Sequence, residues 1–330
     1  MDKKIKVAFD AERMKYPDTG LYHYCMHLGQ ALLRHQAEYN TAMSFYVRES
    51  QKEVFGENAT IIQQHSLQKF WMPSASKYDV WHTTYQATNY FPGSTKAKLI
   101  LTIHDLNFLH EPKTDRKRAK YLKKLQNKIK RADEITAISN FVKKEIEEYT
   151  NLGNKQVHVI YNGSNISEKI SATPPAHIPA KPFFYSVGTV VPKKNFHVLP
   201  ALLCNNDFLL IISGVLNHHD YCKKVMDEAT KSGVADRVIL TGPVKEEEKY
   251  WYLQHCIAFA FPSLAEGFGL PVIEAMHFGK PVLLSTHTSL PEIGGNLASY
   301  FQNFEPKHME EVAMKAIQHH TEEKSKAYQQ

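Results

Sequence analysis

The 330-residue sequence is poor in cysteine and has no long apolar segment. Its four cysteines, Cys25, Cys204, Cys222 and Cys256, are far apart and form no CxxC pair, which argues against a disulfide scaffold or a cysteine-based zinc site. The longest apolar runs, such as FLLIISGV at residues 208–215, are much shorter than the roughly 18 residues that a membrane-spanning helix needs. The first residues are charged and lack the apolar run of a signal peptide, so we expect a cytoplasmic protein that does not span a membrane.

The overall composition is that of a folded protein, but its charge is unevenly distributed. Hydrophobic residues make up 43% and charged residues 22% of the chain, which excludes disorder of the whole chain and allows two buried cores. The formal net charge is +6. Residues 1–165 hold 25 basic and 17 acidic residues, whereas the remainder holds 15 and 17. The excess of positive charge therefore belongs to the N-terminal half.

Much of this charge lies in residues 113–131, which contain ten basic residues and one acid. Leu122, Leu125 and Ile129 are three and four residues apart there, so they form an apolar stripe on a basic helix. Three interpretations stay open. The helix is a solvated element packed through its stripe, or it is attracted to an anionic membrane surface or an acidic lipid-linked substrate. Nucleic-acid binding is the weakest of the three interpretations, because Tyr121 is the only aromatic residue within residues 113–131 and no nucleic-acid-binding motif is present.

Short apolar runs alternate with helical patterns along the chain. Six strand-like runs precede residue 166, with helices predicted over residues 22–35 and 140–149, and five more follow residue 182. This alternation predicts βαβ units and mostly parallel sheets. Between the two series, residues 167–182 contain four prolines and read as a linker.

The sequence therefore predicts an α/β fold with two domains. They are an N-terminal domain of residues 1–166 and a C-terminal domain of residues 183–330. Both are expected to be doubly wound and Rossmann-like, facing each other across a cleft at the carboxyl ends of their sheets, where such sheets bind ligands.

Residues 261–285, FPSLAEGFGLPVIEAMHFGKPVLLS, read as a strand, a glycine-rich loop, a helix and a strand. Pro271 falls at the start of the helix, where proline is favoured. A glycine loop that opens a helix presents backbone N–H groups and a positive dipole end, which suits a diphosphate. Glu266 and Glu274, eight residues apart, are suited to accepting hydrogen bonds from sugar hydroxyls. Taken alone, such a loop is better explained as a structural turn in which Glu274 satisfies the helix dipole.

The complete segment resembles the Glu-x7-Glu signature of glycosyltransferase family 4, whose members are retaining enzymes of the two-Rossmann GT-B fold. Further segments match that family in its order along the chain. They are DTGLYHY (18–24), TIHDL (102–106), ITAISNFVKKEI (135–146), VIYNG (159–163), SVGTVVPKKN (186–195), LTGPV (240–244) and LPEIGGN (290–296). The resemblance covers nearly the whole chain and is more specific in the C-terminal half.

This resemblance implies roles for residues of the glycine-rich segment. Glu274 would bind the ribose hydroxyls of the donor nucleotide, and Glu266 would hold hydroxyls of the transferred sugar. The backbone amides of Phe268, Gly269 and Leu270 would approach the donor phosphates.

It implies further roles elsewhere in the chain. Lys194 and Lys193 would neutralise the leaving diphosphate, and Val244 would lie near the base. His104 would lie beside the reacting sugar, and Gly20 would let the first loop approach the diphosphate. The implied catalytic residues are thus Glu266, His104 and Lys194.

Two positions qualify the resemblance. Thr189 stands where many members of the family have arginine, although a subgroup of the family shares the form with threonine. More of the phosphate charge would then fall on Lys193 and Lys194, which are point charges without the bidentate fork of arginine. Glu292 would either touch the donor sugar or cap a helix.

The implied function is a retaining glycosyltransferase in lipopolysaccharide or other surface-polysaccharide synthesis. It would move a hexose, with mannose preferred, from a GDP- or UDP-sugar to a hydroxyl of a glycan or lipid-linked acceptor at the inner face of a membrane. The chain is short for this family, so the last helix, which often packs back on the first domain, would be abbreviated. No Asp-x-Asp motif is present, and a helix N-terminus with lysines can stabilise the leaving group, so we expect no metal and no cofactor.

Two other functions compete with this one. One is a catalytically degenerate sugar-nucleotide-binding or interaction protein on the same fold. The other is a dinucleotide-dependent dehydrogenase, which the absence of GxGxxG after the first strand opposes.

Overall fold

The computed structural model describes residues 3–17, 19–57, 59–164, 166, 171–321 and 325–327. Contacts between Cα atoms divide the chain into two compact units, residues 1–162 and 163–330. Each unit has its own parallel sheet. Of the expected linker, residues 167–170 lie outside the described residues, and residues 171–182 form neither helix nor strand. The prediction of an α/β fold with two Rossmann-like units is confirmed.

The N-terminal unit has a seven-stranded sheet in the order β3-β2-β1-β4-β5-β6-β7. Its strands are β1 (Ile5–Asp10), β2 (Thr41–Val47), β3 (Thr60–Gln63), β4 (Val80–Thr83), β5 (Lys98–Ile103), β6 (Glu134–Ala137) and β7 (Val157–Val159). Its α-helices are α1 (Gly20–His35), α2 (Asp115–Arg131) and α3 (Asn140–Tyr149). Short 3-10 helices occupy Glu12–Lys15, Glu49–Phe55, Ser66–Lys69, Pro73–Lys77 and Asn107–Leu109.

Side chains on both faces of this sheet are buried, as expected for a parallel sheet covered on two sides. Ala8 and Phe9 are consecutive in β1 and belong to two different apolar clusters, because successive strand residues point to opposite faces. The Phe9 cluster includes the stacked rings of Phe45 and Phe55, with centroids 3.9 Å apart. The Ala8 cluster is built around Trp81, which is fully buried.

The C-terminal unit has a six-stranded sheet in the order β10-β9-β8-β11-β12-β13. Its strands are β8 (Phe183–Val187), β9 (Leu209–Ser213), β10 (Val238–Gly242), β11 (Ala258–Phe261), β12 (Val282–Ser285) and β13 (Ser299–Phe301). Its α-helices are α4 (His219–Lys231), α5 (Glu246–His255), α6 (Leu270–His277), α7 (Leu290–Gly294) and α8 (Pro306–Gln318). Its 3-10 helices are Pro192–Lys194, Phe196–Leu203 and Ala235–Arg237. Helix α8 buries Met309 and Ala313 in the core of its own unit.

The order of strands reverses between β8 and β11. From β8 the chain continues to β9 on one side, and from β11 it continues to β12 on the other. The loops that follow β8 and β11 therefore leave the carboxyl edge of the sheet side by side and diverge, which opens a crevice where doubly wound sheets bind ligands. In the N-terminal unit, β1 and β4 have the same relationship.

Candidate active site

The glycine-rich loop after β11 turns directly into α6. Gly269 stands at the N-cap with a φ of 117° and, as a glycine, has no side chain with which to cap this helix end. A Cβ atom on Gly269 would lie 3.1 Å from Leu290 Cδ2, so both backbone conformation and space favour glycine here. Pro271 lies in the first turn, as the sequence predicted. The helix therefore begins at Leu270 with its N-terminal backbone following Phe268 and Gly269.

Two carbonyl oxygens of this loop accept hydrogen bonds from a nearby segment, residues 288–289. The Ser289 hydroxyl lies 3.0 Å from the carbonyl oxygen of Glu266 and 2.8 Å from that of Phe268. The amide of Glu266 donates to Thr288 Oγ1 at 3.0 Å. Thr288 has a φ of 54°, which places this short segment in a tight turn against the loop. Residues 288–289 therefore help to hold the loop conformation.

Glu266 and Lys194 form an ion pair between the loops after β11 and β8. Lys194 Nζ donates to Glu266 Oε1 at 2.5 Å, and the Ser263 hydroxyl donates to the same oxygen at 2.6 Å. The Lys194 and Glu266 side chains are 13% and 14% exposed. Glu266 Oε2 has no hydrogen-bond partner within the described ranges. One carboxylate oxygen is thus held by two donors, and the other is left to accept a further hydrogen bond.

The Lys194 side chain can reach Glu266 because the residue beside it is a glycine, Gly188. Gly188 has a φ of 145°, and a Cβ atom there would lie 3.3 Å from Lys194 Cε. A Cβ atom on Gly214 would lie only 2.0 Å from the carbonyl oxygen of Gly188, so the ends of β8 and β9 approach closely. The Lys194 ammonium also lies 4.5 Å from the ring centroid of Phe261. Two glycines and an aromatic ring therefore fix the position of this cation.

Lys193 contributes its backbone to the same arrangement. Its carbonyl oxygen accepts a hydrogen bond from Leu264 N at 2.8 Å, which ties the two loops together. Its side chain is half-buried. Thr189, the departure from the usual arginine, is exposed.

Glu274 lies on α6, where it pairs with a lysine that sequence reasoning did not single out. Lys249 Nζ donates to Glu274 Oε1 at 2.8 Å, and the two side chains are 18% and 14% exposed. Lys249 belongs to α5, which begins two residues after Val244. Val244 itself is half-buried and packs against the core of the unit. The sequence did contain a signal for Lys249: it directly follows three glutamates at the start of the helix after LTGPV.

His104 lies directly after β5 in the N-terminal unit and is 7% exposed. Its Nε2 lies 2.7 Å from the carbonyl oxygen of Thr84, and its amide donates to Gln86 Oε1 at 3.1 Å. Burial lowers the pKa of His104 to about 4, so the imidazole is neutral at neutral pH. Because a carbonyl oxygen only accepts, Nε2 carries the proton and Nδ1 keeps its lone pair.

Gly20 is the first residue of α1. Within its unit an added Cβ atom would meet no heavy atom within 4 Å, and its φ is not in the left-handed region. Tyr24, one turn later, contacts the His104 ring edge-on at 4.5 Å between centroids. Gly20 and His104 therefore lie at the same carboxyl edge of the sheet, in the unit that does not contain Lys194 and Glu266.

The carboxyl edge of the N-terminal sheet holds further groups that sequence reasoning missed. The Arg13 guanidinium lies 4.7 and 4.6 Å from the ring centroids of Tyr16 and Tyr85. Its buried Nε has no hydrogen-bond partner in the part of the chain that the structure describes. Asp10, at the end of β1, is fully buried, and this burial raises its pKa to about 8.

The C-terminal unit thus brings together most of the residues that the sequence singled out. Lys194, Glu266 and the backbone from Phe268 to Leu270 form one arrangement, and Glu274 lies one turn further along α6. Glu292, left open between two roles, lies in the first turn of α7. Throughout the described ranges, no group of three or more His, Cys, Asp or Glu residues is arranged to hold a metal ion.

Chemically, this arrangement is suited to a negatively charged leaving group. A lysine ammonium and the positive end of a helix lie beside a carboxylate that has one oxygen available. Considered by itself, the N-terminal unit holds a neutral imidazole at His104, whose Nδ1 keeps its lone pair.

Comparison with known proteins agrees with this chemistry. The family model described as Glycosyl transferases group 1 matches residues 169–329, and the model Glycosyltransferase Family 4 matches residues 20–168. The O-antigen chain mannosyltransferase RfbU of Salmonella typhimurium is 27% identical over 202 residues, which are 61% of this chain and 55% of RfbU. The O-antigen chain mannosyltransferase B of Escherichia coli is 25% identical over 329 residues, which cover 88% of this chain and 85% of that relative. The chain therefore spans little more than half of RfbU.

Solved structures share the fold at low identity. HepE from Anabaena, crystallised with UDP and glucose, has a TM-score of 0.74 at 18% identity over 98% of this chain and 94% of its own. WaaG, a glycosyltransferase involved in lipopolysaccharide biosynthesis, has a TM-score of 0.66 at 15% identity over 98% and 93%. The two family models together cover residues 20–329, so the chain consists of two glycosyltransferase-family domains, the N-terminal one of family 4, and it has the GT-B fold.

Proposed function

We propose that this protein is a retaining glycosyltransferase of surface-polysaccharide synthesis. It transfers a hexose, with mannose preferred, from a nucleotide-diphosphate sugar to a hydroxyl of a glycan or lipid-linked acceptor. Two relatives named as O-antigen chain mannosyltransferases support the sugar and the type of acceptor. The nucleotide of the donor is GDP or UDP, and HepE, which shares the fold, was crystallised with UDP.

The observation that carries this proposal is the Lys194–Glu266 pair beside the N-terminus of α6. Cleavage of the bond between sugar and phosphate leaves negative charge on the diphosphate and positive charge on the sugar ring. Fixed positive groups at the diphosphate stabilise that transition state without reorganisation. Lys194 and the first turn of α6 supply such groups, and Glu266 Oε2 is available to a sugar hydroxyl.

Lys194 can serve both parts of the donor at once. An ammonium group has three protons, and the contact with Glu266 uses one of them. A phosphate oxygen can take another while the ion pair persists. In the proposed complex, Lys194 therefore connects the carboxylate that holds the sugar with the diphosphate that leaves.

We also propose that the reaction needs no metal ion. The charge of the leaving diphosphate would be met by Lys194, by the half-buried Lys193 side chain and by the helix N-terminus. EDTA would then leave turnover unchanged.

We place the enzyme at the cytoplasmic face of a membrane, because α2 exposes seven basic side chains. They are Arg116, Lys117, Lys120, Lys123, Lys124, Lys130 and Arg131. Leu125 and Ile129 are buried, so the apolar stripe of this helix packs inward and the basic side faces outward. Each basic group near an anionic bilayer contributes about 1 kcal/mol of attraction. Among the described residues, none of the helices is both long and apolar enough to cross a membrane.

A thermal-shift panel of GDP, UDP, ADP and NAD, with and without EDTA, tests the donor site. A ligand at 100 times its Kd raises the unfolding free energy by about 2.7 kcal/mol. We expect a shift with GDP or UDP that EDTA does not change. A shift with NAD alone would favour a dehydrogenase instead.

Turnover separates the enzyme from a degenerate binder on the same fold. With the matching GDP- or UDP-sugar and a membrane-extracted acceptor, we expect a product whose anomeric configuration, read by NMR, equals that of the donor. Inversion would contradict the retaining assignment. Nucleotide binding without any transfer would favour the degenerate binder.

A further inference from the structure

The most exposed large hydrophobic side chains of the described residues lie within five positions of one another. Leu67, Phe70 and Trp71 are 80%, 89% and 74% exposed. They belong to the 3-10 helix Ser66–Lys69 and the two residues after it. Single exposed hydrophobic residues are ordinary, but a contiguous group of this kind marks an interaction surface. We refer to residues 66–71 as the apolar tip.

The apolar tip is presented outward by contacts on its inner side. Gln68 Oε1 accepts hydrogen bonds from the Tyr46 hydroxyl at 2.9 Å and from the His65 amide at 2.5 Å. Met72, the next residue along the chain, is 7% exposed and packs in the cluster that contains Trp81. The segment is therefore anchored by Gln68 and Met72. The side chains of Leu67, Phe70 and Trp71 face solvent.

One strip of chain, residues 90–93, connects the apolar tip with the basic helix α2. Lys69 Nζ lies 5.6 Å from the ring centroid of Tyr90. The Arg131 guanidinium lies 4.8 Å from the ring centroid of Phe91 and donates to the carbonyl oxygen of Gly93 at 3.2 Å. Lys69 of the tip and the last residue of α2 thus border the same strip within one unit.

We infer that the apolar tip and the exposed basic side of α2 form one surface that docks on an anionic lipid bilayer. Leu67, Phe70 and Trp71 would enter the interface between headgroups and acyl chains, where tryptophan is favoured. The lysines and arginines of α2 would face the anionic headgroups. A row of like charges along a 17-residue helix fits an extended anionic surface, and an apolar segment beside it fits the bilayer below. This inference rests on the membrane location proposed above and is independent of the transfer reaction.

Tryptophan fluorescence tests the inference directly. The chain has three tryptophans, of which Trp81 is fully buried and Trp251 is half-buried in the C-terminal unit. With vesicles of phosphatidylglycerol and phosphatidylcholine, we expect a blue shift of the emission and quenching by brominated acyl chains. Trp71→Phe should remove both signals while the protein still sediments with the vesicles.

Binding assays with surface variants complete the test. The double variant Leu67→Ser/Phe70→Ser should bind these vesicles at least tenfold more weakly at physiological salt. Tyr39→Ser, which removes an exposed aromatic ring elsewhere on the same unit, should bind like the parent. All these side chains are exposed, so the variants should melt at the parent temperature.

The possible failures can be told apart. If the double variant binds like the parent and Trp71 emission is unchanged, the inference is wrong. This holds even if Lys120→Gln/Lys123→Gln/Lys124→Gln abolishes binding, a result that would support only the membrane location. If the parent protein binds no vesicle, the membrane location fails as well, whereas transfer to a detergent-extracted acceptor still tests the enzyme. If sedimentation instead shows self-association that the double variant loses, the occupant is a second copy, and the bilayer is excluded.

Discussion

Lys249 Nζ donates to Glu274 Oε1 at 2.8 Å, with both side chains largely withdrawn from solvent. The contact joins α5 to α6, two helices that follow different strands of the C-terminal sheet. In the proposed complex Glu274 binds the ribose, so the lysine determines where that carboxylate stands before the donor arrives. Lys249 is thus a positioning residue for the nucleotide.

Replacing Lys249 should weaken nucleotide binding more than it slows the chemical step. For Lys249→Met we expect about a tenfold rise in the Kd of the preferred nucleoside diphosphate, equivalent to about 1.4 kcal/mol, with a smaller change in kcat. Titration calorimetry measures the first and initial rates the second. Lys223→Met is the matched control, because Lys223 pairs with Asp227 on the exposed side of α4. Equal effects of both changes would contradict the positioning role.

Replacement of Lys194 should lower kcat. Lys194→Ala deletes the cation that we assign to the leaving diphosphate, and the loss of one such group lowers kcat about 10²-fold or more. Glu266→Gln keeps the size of the side chain and should also lower kcat strongly. Lys231→Ala, which breaks the exposed pair with Glu228, serves as control. Parent-like turnover of the Lys194 or Glu266 variant would refute the site assignment.

Gly214 should tolerate no side chain, because of its contact with the backbone of Gly188. An added Cβ atom would lie 2.0 Å from the Gly188 carbonyl oxygen, and the φ of 146° is itself unfavourable for alanine. We expect Gly214→Ala to lower Tm well beyond Gly233→Ala, where φ is also positive but the space is open. The control should cost only about 1 kcal/mol of backbone strain. Similar Tm values for the two variants would show that the two strand ends separate easily.

His104 should make the unfolding free energy depend on pH. Its folded pKa of about 4 lies below the ordinary histidine value of 6.5, so the unfolded chain binds the proton more readily. The contribution of His104 is fully present above pH 6.5 and is lost as pH falls towards 4, by roughly 3 kcal/mol in all. Buried His82 has the same sign, whereas buried Asp10, with a raised pKa, has the opposite one.

The difference between parent and His104→Asn isolates this contribution. Denaturant unfolding between pH 4.5 and 7.5 should show that the stability advantage of the parent over the variant shrinks as the pH falls. A difference that stays constant across this range would mean that His104 titrates normally in the folded protein.

Most of the fold could be predicted because its parallel strands are buried on both faces and therefore read as apolar runs. Two strands were not predicted, β3 with the sequence TIIQ and β13 with SYF. Both lie at sheet edges, where a strand is short and only partly covered. Helix α1 begins at Gly20, two residues before the predicted start, since Thr19 caps it by accepting a hydrogen bond from the Tyr22 amide.

In the candidate site too, local features could be predicted and contacts between distant residues could not. The start of α6 at Leu270 could be predicted, because glycine and Pro271 act through local backbone geometry. The ion-pair partner of Glu266 could not, because Lys194 lies 72 residues earlier in the chain and reaches that carboxylate from another loop. Nor does the sequence show that Thr84 O fixes the tautomer of His104.

The double occupation of Glu266 Oε1 has a consequence for sugar selection. With Lys194 and Ser263 already on that oxygen, the carboxylate has one acceptor atom to offer a donor sugar. Under the proposed function, a hexose whose hydroxyl points at Oε2 gains a charge-assisted hydrogen bond, whereas its epimer presents a C–H to a partly dehydrated anion. Discrimination between two stereoisomers would then depend on a single oxygen atom.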